Sequence, residues 1–112
     1  MQHDNVKKYL FDILDAIAAI ETAKKQVNSY QEFYLNRIIR SAIERELITI
    51  GEAATIIRKK FPDILISNIR EIAATRNIIV HDYDGVNYKV VWSIIDKHLL
   101  TLKEEVTILI NH

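Results

Sequence analysis

The sequence contains no cysteine, which excludes a disulfide framework, a thiolate zinc site and a thiol nucleophile. Proline occurs once and glycine twice in 112 residues, too little turn punctuation for an all-β chain with its many reversals. No apolar run approaches the ~20 residues that span a bilayer. The start, "MQHDNVKK", is charged where a signal peptide is apolar. Net charge is missing too: 15 basic and 15 acidic residues cancel, so no global field draws nucleic acid, and any such partner must meet a local patch. These absences set the expectation of a cytoplasmic protein built from long helices, with no membrane attachment.

Otherwise the composition is ordinary globular material. Hydrophobic residues make up 49% and charged residues 27%, enough for one packed core in a single domain spanning 1–112. Val6, Leu10, Ile13, Ile17 and Ile20 recur at spacings of four and three, an amphipathic helix with a heptad-like seam and Asp4 as its N-cap. After the polar stretch "NSYQE", Leu35, Ile39, Ile43, Leu47, Ile50, Ala54 and Ile57 draw a second stripe. It predicts a helix from about Gln31 to Lys60 that stops at "KKFPD", because Pro62 disfavours helix at the residue before it. Leu65, Ile69, Ile72, Arg76 and Ile79 form a third stripe, with Ser67 or Asn68 as cap. "DYDG" is a turn, and Asn87 caps a fourth helix carrying Val91, Ile95, His98, Leu102, Val106 and Leu109 on one face.

Four helices on short connections predict an all-α antiparallel four-helix bundle. The first two, roughly 25 residues or about 40 Å each, outrun their shorter partners. The apolar length left over predicts a homodimer.

One stretch, "TRNIIVHDYDG" at residues 75–85, breaks the pattern, because Arg76 stands where the third stripe requires an apolar residue. Arg76 and His81 are five apart, about 140° around a continuous helix, and so do not share a face. Asn77 and His81, four apart, do share one. A helix ending at about Val80 would let His81 leave the spiral towards Arg76, and a second copy across a dimer axis could close the remaining gap.

An arginine and a histidine suit phosphodiester chemistry. The guanidinium clamps a phosphate through two hydrogen bonds and offsets the charge of the transition state. Imidazole, titrating near neutrality, takes a proton from an attacking hydroxyl or gives one to a leaving oxygen. With an RNA 2′-OH as nucleophile, neither a metal nor a protein nucleophile is required, and the product is a 2′,3′-cyclic phosphate. The same two residues also have a structural reading: Arg76 extending its charge out of the core edge, and His81 as a cation at a helix C-terminus.

The wider context resembles a known family. "RNIIVHDYDGVNYKVVW" is similar to the signature of HepT-like proteins in the HEPN group, RNxxxHxY followed by V-x-x-x-x-V-W, with Arg76, Asn77, His81, Tyr83, Val86, Val91 and Trp92 in place. Upstream, Ile50, Gly51, Glu52 and Ala53 match the family's I-G-E-A segment. The resemblance implies a dimeric, all-helical toxin ribonuclease that uses no metal or other cofactor, with two R-x-x-x-x-H motifs facing each other across the dimer cleft. Arg76 and His81 carry over as the catalytic pair, and Asn77 stands beside them. It further implies a nucleotidyltransferase antitoxin that silences the toxin by attaching AMP to the tyrosine of H-x-Y, here Tyr83. Two positions depart from the family: "DILIS" replaces a frequent Pro-Trp pair before the third helix, and Thr75 replaces a frequent Met.

Other residues carry weaker expectations. Glu52 is a supporting residue, able to pair with Arg76 or position His81, and equally able to form a helix–helix salt bridge. Gly51, Ala53 and Ala54 allow close helix approach. His3, His98 and His112 lack the spacing of a metal site. Tyr88, directly past the turn, is the best placed aromatic to stack on a base, although aromatics on helices more often pack in cores and interfaces. Lys7–Lys8, Lys24–Lys25, Arg37 with Arg40, and the "RKK" at 58–60 read as solvated faces that a dimer could gather around its cleft.

Three functions therefore compete: a metal-independent endoribonuclease acting on RNA, a non-catalytic binding partner of a nucleotidyltransferase, and a dimeric scaffold. DNA is not an expected partner.

Overall fold

The computed structural model describes residues 2–81 and 85–112, with side chains from residue 5 onward except that of residue 81. Among the described residues every regular element is a helix: α1 (Gln2–Lys24), α2 (Tyr30–Leu35), α3 (Arg37–Lys60), α4 (Ile69–His81), α5 (Tyr88–Ser93), a π-helical turn (Ile94–His98) and α6 (Leu99–Ile110). The predicted all-α bundle is present. Its core is the seam of α1, in which Val6, Leu10, Ile13, Ile17 and Ile20 are buried, against Ile39, Ile43, Leu47, Ile50 and Ile57 of α3 and Leu99, Leu102 and Val106 of α6. α4 packs on the other flank of α3.

Five expectations are corrected. The second helix is not one piece. It breaks at Asn36, whose extended backbone (φ −99°, ψ 95°) closes α2 and whose side chain accepts from Ile39 N at 3.0 Å to cap α3. Leu35, just before that break, is exposed, and Phe33 fills the core in its place. Leu65 is also exposed and lies outside α4, and Ile66 is buried instead. In the fourth stripe His98 is exposed and Leu99 buried, because the π turn inserts an extra residue per turn and moves the seam on by one position. At the first helix, α1 already runs at Gln2, so Asp4 lies inside it and does not precede it.

Other local signals have the expected outcome. α3 ends at Lys60 with Phe61 as its C-cap, directly before Pro62, and Arg58, Lys59 and Lys60 lie in its last turn. Asn87 caps α5, its Oδ1 accepting from Lys89 N at 3.1 Å and Val90 N at 3.3 Å. α4 begins directly after Asn68, which has φ 59°. Ser67 does not cap it. Its backbone N–H and its hydroxyl both donate to Glu105, at 2.8 and 2.5 Å.

Candidate functional site

α4 reaches α3 by way of small residues. A Cβ placed on Gly51 would stand 2.9 Å from Arg76 Cβ, 3.0 Å from Arg76 N and 3.2 Å from Ala73 O. The backbone of α4 therefore rests directly on Gly51, which a larger residue would prevent. Arg76 stays at the rim of this contact, its side chain 37% exposed, and its Nε lies 3.6 Å from Glu52 Oε2. That distance makes an ion pair and not a tight hydrogen bond. Both partners are well solvated, so the pair orients the guanidinium more than it stabilises the fold.

Two helical stripes frame a groove of about 630 Å³ beside this contact. On α3 the stripe passes through Glu52, Thr55 and Lys59, spaced three and four apart. On α4 it passes through Arg70, Ala74 and Asn77, spaced four and three. Arg58 and Arg76 also line it, with Ile56 and Ala73. Four cations thus face one carboxylate, the local positive patch that the balanced net charge does not reveal. Arg70 has no place in the sequence reading, yet it lies seven residues before Asn77, two turns of one helix face, and that spacing was its available signal.

The helix of α4 continues through His81 and does not end at Val80. Positions 76 and 81 therefore stand about 140° apart around one continuous spiral. Position 81 instead prolongs the 70–74–77 stripe by one turn. The structure brings Arg76, Asn77 and Glu52 together. The side chain of His81, and the whole of Tyr83, lie outside the described residues.

Thr75 is buried and satisfied locally, its hydroxyl donating to Glu71 O at 3.1 Å. Val91 is fully buried, and the Trp92 ring packs 5.2 Å from Phe33 with Lys24 Nζ 5.4 Å from its centre. The second half of the motif, through Trp92, therefore packs α5 against α1 and α2. Among the described residues no three His, Asp or Glu side chains form a group able to hold a metal ion, and no helix is long and apolar enough to cross a membrane.

The chain is similar to several known proteins. A protein of Methanocaldococcus jannaschii named "Putative RNase" is 36% identical over 112 residues, covering 96% of this chain and 99% of the relative. A second of that name from the same organism is 34% identical over 109 residues, covering 94% and 87%. The "Probable ribonuclease HepT" of Thermococcus cleftensis is 33% identical over 101 residues, covering 87% and 88%. No solved structure matches the chain. Residues 13–109 match the Ribonuclease HepT-like family, and the chain belongs to it.

Proposed function

We propose that this protein is a metal-independent endoribonuclease, the toxin of a toxin–antitoxin pair, acting as a homodimer on an RNA such as tRNA or mRNA. The whole chain acts as one domain. The observation that carries this reading is the groove between α3 and α4, where Arg76 and Asn77 stand among Arg58, Lys59 and Arg70. Such a cluster suits a polyanion, whose phosphates release counterions to it.

In this mechanism Arg76 clamps the scissile phosphate, Glu52 orients the guanidinium, and Asn77 steadies a His81 ring or the substrate. His81 of the partner subunit takes the proton of the 2′-OH, and the oxygen attacks the adjacent phosphorus. The bond to the 5′-oxygen breaks, that oxygen receives a proton from water, and the hydroxide left takes up the proton held by His81. The products are a 2′,3′-cyclic phosphate and a free 5′-hydroxyl. The 140° between positions 76 and 81 supports the shared site, since one regular helix does not bring both to one phosphate and a second copy supplies the missing direction.

Silencing follows from position. AMP attached to Tyr83 by a cognate nucleotidyltransferase places a bulky anion two residues from His81, where it crowds the cleft and competes for the cations that bind RNA phosphate.

The test incubates purified protein, shown by mass to carry no AMP, with total tRNA in EDTA beside a His81→Ala control. Cyclic phosphate ends made only by the parent are expected. Intact RNA with the unmodified parent would leave the second reading, a non-catalytic partner of the nucleotidyltransferase.

A further inference from the structure

At the other end of α3 from the basic groove lies a cluster that the proposed mechanism does not use. Tyr34 is 46% exposed, yet its ring is fixed from several sides. Tyr30 lies 6.0 Å away, Tyr88 meets it edge-on at 5.9 Å, and the Arg40 guanidinium stands 5.5 Å from its centre. Arg40 also lies 4.9 Å from the Tyr88 ring and donates to the Tyr34 carbonyl, while its Nε is buried without a hydrogen-bond partner among the described residues. The Tyr88 phenol faces Glu44; burial first, then hydrogen bonding to that carboxylate, holds its pKa above the usual tyrosine value. A cleft of about 480 Å³ opens beside these rings, with Asn87 and Lys89 on its wall.

Exposed aromatic surface held this firmly has little further rotamer entropy to lose when something stacks on it. The chemistry of the wall selects the occupant. An aliphatic chain would leave Lys89 and the Nδ2 of Asn87 without purpose, whereas a nucleobase offers a π-face to the rings, acceptors to Asn87 and a phosphate to Lys89.

The location agrees. Glu44 and Gly51 are seven apart and lie within about 20° of each other around α3. Tyr88 faces Glu44 and Arg76 rests on Gly51, positions separated by about 10 Å of rise along one face of α3, the length of about three stacked nucleotides at ~3.4 Å each.

We propose that Tyr34 and Tyr88 form a base-stacking subsite that receives an unpaired base a few nucleotides from the phosphate held at Arg76. The subsite makes single-stranded RNA the substrate class, since a paired base has no free face to offer. It rests on the ribonuclease reading given above.

The test measures binding of a 2′-O-methyl twelve-nucleotide single strand, which lacks the attacking hydroxyl, to the full-length parent and to Tyr34→Ala and Tyr34→Phe, each checked for an unchanged melting temperature. Tyr34→Ala is expected to bind about tenfold more weakly, the loss of one base stack, with Tyr34→Phe close to the parent. Removing bases one at a time from the strand should reproduce the loss at one position in the parent and have no effect there in Tyr34→Ala. A parent that binds with Tyr34→Ala binding equally well would overturn the subsite and leave the ribonuclease reading standing. If that same variant changed only self-association in sedimentation, the rings would belong to an interface between copies. A parent that neither binds this strand nor cuts tRNA would remove both proposals together.

Discussion

α3 has two flanks, and they are built from different residues. Towards α1 it offers Ile43, Leu47, Ile50 and Ile57, each at most 2% exposed. Towards α4 it offers Gly51, on which the backbone at Arg76 and Ala73 rests. Large aliphatic side chains bury area and supply stability at roughly 25 cal/mol per Å². A glycine supplies almost none of that, but it sets how closely the neighbouring helix approaches and hence where Arg76 emerges. The bundle thus keeps the packing that stabilises it and the packing that places its charged groove on neighbouring faces of one helix, about 80° apart around its axis. Substitutions on the two flanks should separate stability from activity.

The largest effect is expected on the apolar flank. Leu47→Ala removes a buried side chain facing α1 and should destabilise the fold by about 2–5 kcal/mol, read by denaturant unfolding. Cleavage per folded molecule should stay near the parent's. On the other flank, Gly51→Ala gains about 1 kcal/mol of helix propensity and meets backbone atoms of α4 that cannot simply rotate away. A net loss of about 0–2 kcal/mol is expected, with a disproportionate fall in RNA cleavage as Arg76 is displaced. Normal cleavage in Gly51→Ala would show that the close approach does not position the site.

The second comparison runs along α4, and it shows how far the sequence was legible. The all-helical class, the seam of α1, the stop at Pro62 and the cap at Asn87 all followed from periodicity and local chemistry, because each depends on neighbours within a turn or two. The break at Asn36 did not follow, since the apolar spacing runs on through it and only the capping geometry of Asn36 reveals it. The π turn escaped for a related reason: an assumed α-helical period puts His98 in the core, and the inserted residue that delivers Leu99 is invisible to that period. At the site, Arg76 was legible as a charge in an apolar stripe. Arg58 and Lys59 read as a solvated face and Arg70 drew no reading at all, because the groove that unites them exists only where two helices cross.

Smaller effects probe that groove. Glu52→Gln removes the carboxylate beside Arg76 and should change stability by less than about 1 kcal/mol, since both partners are solvated. Cleavage should fall by less than about tenfold while RNA affinity holds or rises; an unfolded or fully inactive variant would assign Glu52 a larger role.

The smallest effect concerns Tyr88. Its pKa is raised in the fold, chiefly by burial and then by Glu44. Its contribution to stability is therefore complete below the ordinary tyrosine range and is lost as pH climbs through the raised value. Melting temperature followed from pH 8 upward should show an alkaline decline that Tyr88→Phe lessens.

The central claim is that Arg76 of one copy works with His81 of another on a single phosphate. It is tested most directly by co-expressing Arg76→Ala and His81→Ala chains under different tags, isolating the mixed dimer, and assaying tRNA cleavage in EDTA. Each homodimer should be inactive, whereas the mixed dimer retains one intact Arg76–His81 pair and should recover a substantial fraction of parental cleavage. A mixed dimer as inactive as either homodimer, beside an active parent, would place the whole site within one chain and contradict the shared cleft.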